Sequence, residues 1–317
     1  MRVSERTRYR TAAIVAVSVT TFIWGAVGVL VKTTSLSGLT FAMYRLWAGV
    51  LVHLIALAIT RRRLSWATFK ACAPGGALFA LDISLGFSAV KLTAVADAAI
   101  IGALAPIMIL FVSGRMFDER IGRREIGLAA ASFGGVVLVA IGASGSPAWS
   151  LLGDALALAS TLSWTAYWLF SKRARSTVSA LEYMTSVMIA GALTITPVAL
   201  LVSGWPPPTP VGSDWAVLVV VTLVPGMTGH LLVAWSHRHV ESWLSALITQ
   251  CAPVVSAVTA WIVLGEPLNA VMIVGGLVVI GATALVIVGA ARREGEPGRA
   301  EAAEIEEDLE GAVERAT

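Results

Sequence analysis

The hydrophobic positions of this chain fall in long runs that short polar turns separate. Ten runs are long enough to form helices of about 20 residues, at 12–31, 41–60, 71–90, 96–116, 125–142, 151–171, 181–203, 215–236, 243–264 and 270–290. About 20 apolar residues in a helix span the hydrocarbon core of a bilayer, which is about 30 Å thick. A helix also pairs its backbone polar groups internally, as lipid requires. The pattern therefore predicts an all-α integral membrane protein with ten transmembrane helices.

The composition agrees with that prediction. Apolar residues make up 57% of the 317 positions and charged residues only 14%, whereas soluble domains carry about 25% charged residues. The two cysteines, Cys72 and Cys251, lie inside apolar runs, and we predict no disulfide between them. The basic N-terminus and the run after it resemble a signal peptide, but the run is too long and no small-residue cleavage site follows. We interpret it as a retained first helix.

The positive charges alternate between the turns. Arginines and lysines follow predicted helices two, four, six, eight and ten, at Arg61–Arg63, Lys70, Arg115, Arg120, Arg123, Arg124, Lys172, Arg173, Arg175, Arg238, Arg292 and Arg293. The other set of turns keeps only Lys32 and Lys91. Because positive residues concentrate in cytoplasmic turns, the pattern predicts that both termini are cytoplasmic. A basic patch for nucleic acid is not indicated, since the charge is spread over these turns.

The second half of the sequence repeats landmarks of the first half. Trp24 and Lys32 recur 140 positions later as Trp164 and Lys172. Pro106, Glu119, Gly134 and Gly142 recur 147 positions later as Pro253, Glu266, Gly281 and Gly289. Because each repeat contains five helices, an odd number, the second repeat must enter the membrane from the opposite face. Inverted repeats of this kind are typical of transporters.

The repeat and the charge pattern predict the organisation of the chain. We expect a cytoplasmic N-terminus at 1–11, a first five-helix repeat at 12–142 and an external linker at 143–150. A second five-helix repeat follows at 151–290, and an acidic cytoplasmic tail at 291–317. From Glu294 onward the tail carries nine acidic residues and two arginines, and its composition predicts disorder.

Several segments in this order resemble the EamA family of the drug/metabolite transporter superfamily. They are the paired helix starts FIWGAVGVLVK and LSWTAYWLFSK, the segment TFAMYRLWAGVL, and the paired helices that run from AP to DE and from AP to GE. The resemblance covers about residues 12–290. It implies a ten-helix bacterial inner-membrane transporter that moves small metabolites, often outward. It also implies a central cavity lined mainly by helices one, three, four, six, eight and nine, with five and ten as scaffold.

Three ionisable residues inside the predicted helices are candidates for function, because a charge in the bilayer core is costly. Arg45 either contacts a substrate carboxylate or forms a structural tether near the outer face. Asp82, expected to be the most buried acid, is either a proton-coupling carboxylate or a structural acid that is neutral or paired with Arg45. His230 is either a second proton-coupling residue or a hydrogen-bonded packing residue.

Aromatic and polar side chains complete the predicted substrate cavity. Trp24, Trp164, Tyr167 and Phe79 either stack on substrate or pack between helices. Gln250 lies in the middle of helix nine and needs a polar partner, for which the ligand is a candidate. Pro106 and Pro253 loosen helices four and nine and allow them to flex. Glu119 and Glu266 are expected to cap turns.

The sequence as a whole predicts a secondary transporter of a small organic metabolite, an amino acid, a related compound or a drug-like solute. We expect alternating access, with export by proton antiport. The alternatives are an uncoupled facilitator of the same fold and a membrane enzyme or sensor subunit. No cofactor, metal site, nucleotide-binding motif or hydrolase motif is indicated. The expected partners are the small-molecule substrate, the lipid bilayer and protons, and the chain acts as a monomer or a homodimer.

Overall fold

The structure is a computed structural model that describes residues 3–93, 95–143, 150–265 and 267–291. The described residues contain helices and no strand. The α-helices are α1 (Val3–Gly25), α2 (Val27–Lys32), α3 (Gly38–Ile59), α4 (Trp66–Leu92), α5 (Val95–Gly102), α6 (Leu104–Met116), α7 (Arg123–Ala143), α8 (Leu151–Ala174), α9 (Ala180–Ser203), α10 (Asp214–Val221), α11 (His230–Ser236), α12 (Ser242–Thr249), α13 (Ala252–Leu264) and α14 (Ala270–Ala291). A π-helical segment, Thr222–Gly229, joins α10 to α11. Most of the predicted acidic tail lies outside the described residues.

Nine spans of the described chain are long and apolar enough to cross a membrane. They are Thr7–Lys32, Gly38–Ile59, Trp66–Leu92, Asp97–Met116, Arg123–Ala143, Ala180–Ser203, Asp214–Ser236, Ser242–Val263 and Ala270–Ala291. They coincide with nine of the ten predicted helices. The remaining prediction, 151–171, corresponds to α8, a helix of 24 residues that is not among the nine. Many large apolar side chains of the bundle, including Leu51, Leu201 and Leu277, point outward. The chain is therefore a multi-pass membrane protein.

Serine side chains fix where several helices begin. Ser37, Ser65, Ser150 and Ser179 each accept a hydrogen bond from a backbone N–H three residues later. Each serine thereby pairs one of the N–H groups that a helix start leaves without a partner. The polar residue at the end of each turn therefore sets the boundary of α3, α4, α8 or α9.

The main core lies where α4 packs against α3, α8 and α9. Leu46, Phe79, Tyr183, Met184 and Met188 are among its fully or almost fully buried side chains. A second apolar cluster joins α1, α6, α8, α11 and α12. The helix that is not among the nine spans therefore packs one face against both clusters, where Thr161 and Thr165 are buried, while Leu158 and Leu162 on another face are exposed.

Glycines bring α7 and α14 into backbone contact. A Cβ atom on Gly135 would lie 2.8 Å from the carbonyl oxygen of Gly275, and one on Gly275 would lie 2.6 Å from the carbonyl oxygen of Gly135. Small residues allow membrane helices to approach this closely. These helices are the fifth and tenth predicted helices, for which the resemblance implies a scaffold role.

Polar contacts mark the two ends of the bundle. At one end, which we call the basic end, Arg10 pairs with Glu241 at 2.9 Å and Lys172 lies 3.8 Å from Glu119. The basic turns of the sequence adjoin this end. At the opposite end, Lys91 donates to the carbonyl of Thr34, Ser35 bonds Asp214, and Thr93 donates to Asp154. The two ends therefore differ in charge as well as in sequence.

Candidate functional site

A cavity of about 310 Å³ lies inside the bundle toward the opposite end. It extends between the second half of α5 and the start of α13, and α1, α2, α4, α6, α8 and α12 contribute further lining residues. Its lining is mostly small and apolar: Trp24, Gly25, Gly28, Val90, Ala98, Ala99, Gly102, Ala103, Ala105, Pro106, Trp164, Thr249, Gln250, Ala252, Pro253 and Ser256. None of these described lining side chains carries a charge. The cavity therefore suits the apolar or aromatic body of a small solute.

Residues that the sequence pairs by its repeat meet in this cavity. The rings of Trp24 and Trp164, 140 positions apart, are edge to face with centroids 5.3 Å apart. Gln250 Nε2 donates to the carbonyl oxygen of Ala103, 147 positions earlier, at 3.3 Å. Pro106 and Pro253 line the same cavity. The cavity thus lies where corresponding segments of the two halves contact each other.

Both helices that carry these prolines are interrupted beside the cavity. α5 ends at Gly102 and α6 begins at Leu104, while α12 ends at Thr249 and α13 begins at Ala252. Proline lacks the N–H that continues a helix and clashes with the preceding turn. Discontinuous helices expose backbone carbonyls in a protected cavity, and Gln250 pairs with one of them. The Oε1 atom of Gln250 is buried without a described hydrogen-bond partner.

A second group of predicted site residues forms a buried cluster behind the tryptophans. The His230 ring lies 4.7 Å from the Trp24 ring and 4.7 Å from the Phe79 ring, measured between centroids. Phe79 in turn contacts Tyr167 at 5.0 Å, and Tyr167 contacts Trp164 at 5.4 Å. Arg45 joins this cluster through His230. The structure therefore brings six of the predicted residues together: Trp24, Arg45, Phe79, Trp164, Tyr167 and His230.

Arg45 has unused hydrogen-bonding capacity in this cluster. Its Nη2 lies 3.4 Å from His230 Nε2, and its guanidinium lies over Phe79 with 5.7 Å to the ring centroid. Only 4% of the residue is exposed, yet Nε and Nη1 have no hydrogen-bond partner among the described residues. A buried guanidinium with free donors is suited to receive a carboxylate.

Asp82 is held by a hydroxyl group of α8 and not by Arg45. Ser160 Oγ donates to Asp82 Oδ1 at 2.7 Å, and the described contacts include no ion pair between Asp82 and Arg45. Asp82 is also partly exposed, while Glu125 and Asp214 are only 3% exposed. By solvent exposure Asp82 is therefore not the most buried acid, although protein atoms surround it on all sides within the bundle, whereas Asp214 lies at the opposite end.

The π-helical segment is a part of the site that the sequence prediction missed. Trp24 Nε1 donates to the carbonyl oxygen of Pro225 at 3.2 Å. A Cβ atom on Gly226 would lie 3.5 Å from Arg45 Nη2, and one on Gly229 would lie 2.8 Å from Trp24 Nε1. π-Helical turns are rare and occur often at functional sites. The signal in the sequence was Pro225-Gly226 in the middle of an apolar run.

The residues that were predicted to line one cavity are therefore divided between the cavity and the buried cluster around His230. Trp24, Trp164 and Gln250 line the cavity, whereas Arg45, Phe79, Asp82, Tyr167 and His230 are not among its lining residues. The lining comes from predicted helices one, three, four, six and nine, and helix eight contributes no described lining residue. Helix eight contacts Trp24 through the Pro225 carbonyl and the His230 ring. Glu119 caps the N-terminus of α12, where its carboxylate accepts from the N–H groups of Ser242 and Trp243.

The described residues contain no cluster of three or more histidine, cysteine, aspartate or glutamate side chains that could hold a metal ion. Cys72 and Cys251 are both free thiols.

Comparison with solved structures shows the fold. Of the 29 chains that match, one crystal structure superposes with a TM-score of 0.73 and is 19% identical. The match covers 87% of this chain and 98% of that chain. At this identity the likeness concerns the fold alone. A search of curated proteins found no match.

Comparison with protein families gives the identity. The EamA-like transporter family matches twice, over residues 11–141 and again over residues 151–288. Together these segments cover most of the chain, with α8 and nearly all of the nine apolar spans. The chain belongs to the EamA-like transporter family, and it is a membrane transporter of the drug/metabolite transporter type.

Proposed function

We propose that the protein is a secondary transporter that moves a small organic solute by alternating access. The observation that carries this proposal is the uncharged cavity of about 310 Å³ between corresponding segments of the two halves. A binding site between repeats, formed by interrupted helices, is the arrangement found in many secondary transporters. The proposal assigns no chemical conversion to the site.

The proposal includes ten membrane helices and two inverted repeats in a bacterial inner membrane. α8 is 24 residues long, about 36 Å at 1.5 Å per residue, which is enough to cross the hydrocarbon core. The basic end then faces the cytoplasm. In this orientation the cavity lies toward the outside, since Val90 and Ala98 are close to chain ends of α4 and α5 at the opposite end.

The cavity restricts the size and chemistry of the substrate. Its volume is at the small end of the range of ligand pockets, about 300–1,000 Å³. The edge-to-face tryptophans and the small apolar residues fit a compact apolar or aromatic body. Gln250 Oε1 accepts from a donor on the solute. Arg45 lies outside the lining, so its free donors receive a carboxylate only after Trp24 moves aside. An amino acid or a related compound has all three features.

Proton coupling is assigned to Asp82, with His230 as the second candidate. Asp82 is a carboxylate beside the central helices whose described hydrogen bonds come from a neutral serine. It can therefore gain or lose a proton without breaking an ion pair. Export by proton antiport follows if protonation and substrate binding exclude each other. An uncoupled facilitator remains the second candidate, and it predicts transport that a pH gradient does not change.

Counterflow in proteoliposomes tests the proposal. Liposomes that contain the purified protein are loaded with unlabelled amino acids, and uptake of the labelled pool is followed against empty liposomes. Exchange well above the empty liposomes supports a transporter, and fractionating the pool identifies the substrate. Trp66→Ala, at an exposed position far from the cavity, should exchange like the wild type. Absence of exchange over a broad metabolite library would contradict the proposal.

A further inference from the structure

The two halves of the protein surround the cavity unequally. The cavity separates α5 from α13, and Ala98 and Ala99 of α5 line it and are partly exposed. The corresponding pair in the repeat is α12 and α6, which pack closely against each other. Ser245 and Ala246, which correspond to Ala98 and Ala99 at an offset of 147, are fully buried. The path between the two halves is therefore open where α5 and α13 flank it and closed where α6 and α12 flank it.

The repeat identifies the residues of the closed part. At the offset of 140, Gly25 and Gly28 of the cavity correspond to Thr165 and Trp168 of α8. Thr165 is 5% exposed and Trp168 is fully buried. We call Thr165, Trp168, Ser245 and Ala246 the counterpart surface.

Apolar packing and one polar network close this surface. Ile109 and Leu110 of α6 pack with Leu244 and Leu247 of α12 in one buried cluster that also contains Trp168. At the basic end, Glu119 holds the N-terminus of α12 and lies 3.8 Å from Lys172. Lys172 also donates to the carbonyl oxygen of Val240. These contacts join α6, α8 and the turn before α12.

Buried polar atoms without partners provide a second and independent observation. Trp168 Nε1, His237 Nε2 and Arg175 Nη1 are buried and make no hydrogen bond within the described chain. The rings of Trp168 and His237 are in contact, with centroids 4.6 Å apart. His237 Nδ1 lies 3.0 Å from Ser171 Oγ, and Arg175 Nε donates to the carbonyl oxygen of Ala234. Leaving such groups unpaired in a buried site is costly, so a partner that reached them in another state would be bound favourably.

The charges around these buried atoms favour a hydrogen-bond acceptor as their partner in the other state. Burial lowers the pKa of His237 well below its usual range, and Lys172 and Arg175 lower it further. The ring is therefore neutral at neutral pH. Burial lowers the pKa of Arg175 to about 10, with a further decrease caused by Arg238, so the guanidinium stays charged. Trp168 and Arg175 only donate hydrogen bonds.

We propose that the counterpart surface lines the substrate path when it opens to the basic end, and that Trp168 Nε1 and Arg175 Nη1 there bind a carboxylate of the solute. The inference rests on the proposed alternating access. In the open state the path leads between α6 and α12, as it now leads between α5 and α13. His237 then orients Trp168 through their ring contact.

Cysteine labelling tests the surface with matched positions. Ala99→Cys and Ala246→Cys are made separately in a protein whose Cys72 and Cys251 are replaced by alanine. Arg63→Cys and Thr209→Cys, both at exposed positions, mark the two faces. Spheroplasts and inverted membrane vesicles are treated with a membrane-impermeant maleimide. We expect Ala99→Cys to react with maleimide added from the face that labels Thr209→Cys. Ala246→Cys should react at least tenfold faster with maleimide added from the face that labels Arg63→Cys than from the other face.

The outcomes separate this inference from the proposed function. If Ala246→Cys reacts from the same face as Ala99→Cys, or from neither face while that variant still exchanges amino acids, the counterpart surface is wrong and transport stands. If the wild type does not exchange although the markers and Ala99→Cys react as expected, the proposed function fails. Trp168→Phe keeps a ring and removes the N–H. It should lower exchange of labelled amino acids several-fold and leave exchange of their decarboxylated amines unchanged, and equal effects on both would overturn the carboxylate assignment.

Discussion

Trp24 and Trp164 contact each other edge to face at an interplanar angle of 81°, although 140 residues separate them. Both occupy the same position in the repeated pattern of the sequence. Their contact closes the cavity on the side of the Arg45 and His230 cluster. One pair of corresponding residues thus forms the boundary between the cavity and the buried polar groups.

Replacing either tryptophan should weaken substrate binding. Trp24→Ala or Trp164→Ala removes a cavity wall and an aromatic pair worth about 1 kcal/mol, and apolar contact with the solute is lost in addition. We expect the KM of counterflow to rise about tenfold. Titration of the labelled substrate against each variant measures this. A KM that matches that of Trp66→Ala would remove the tryptophans from the site.

Gly229 should be required for the position of Trp24. A methyl group in Gly229→Ala would lie 2.8 Å from Trp24 Nε1, and the indole would have to move away from the Pro225 carbonyl. We expect reduced exchange and a shifted tryptophan emission spectrum. Gly281→Ala is the control, since its methyl group meets open space. Equal behaviour of the two variants would show that Trp24 can be displaced without consequence.

Alanine substitutions at Gly135 and at its neighbour Gly134 test whether α7 and α14 are in close contact. Gly135→Ala directs a methyl group at the backbone of α14, whereas the one in Gly134→Ala meets no atom within 4 Å. Overpacking of this kind costs about 2 kcal/mol. Thermal unfolding in detergent should show a lower midpoint for Gly135→Ala only. Identical midpoints would contradict the close contact of α7 and α14.

Asp82→Asn should separate substrate exchange from proton coupling. The amide can still accept the Ser160 hydrogen bond but can no longer carry a proton. Counterflow without a pH gradient is expected to persist within about twofold, while uptake driven by a pH gradient falls to the level of empty liposomes. Ser160→Ala retains the carboxylate and should retain coupling. If Asp82→Asn is still driven by the gradient, His230 becomes the next residue to replace.

Lys172→Met should favour opening at the basic end. The ion pair with Glu119 is mostly buried, with the two side chains 17% and 7% exposed, so its loss should cost at least about 0.7 kcal/mol, which is roughly a threefold change in an equilibrium. The reaction of Ala246→Cys with the impermeant maleimide should accelerate by about that factor. Lys32→Met, at the corresponding position of the first repeat, is the control and should not accelerate it. An unchanged rate in Lys172→Met would show that the apolar cluster alone keeps α6 and α12 together.

Local features of the site could be predicted from the sequence where they depend on one segment. The helix interruptions follow from Pro106 and Pro253, and the apolar spans follow from runs of about 20 residues. The bond from Ser160 to Asp82 could not be predicted, because it depends on the rotation of α8 relative to α4. The π-helical turn could not be placed either, since Pro225 allows several local geometries and packing on Trp24 and Arg45 selects one.

The sequence by itself determined the membrane class, nine of the apolar spans, the family and the list of corresponding residues, because hydrophobic length and repeat spacing are properties of the chain alone. Only the tertiary structure decided that Trp24 and Trp164 touch, that Arg45 lies behind them and that α12 closes on α6 while α13 stands apart from α5. The physical reason is that two similar halves can pack with either end open. Which end is open depends on many small contacts between distant helices, and the hydrophobic pattern is the same in both arrangements.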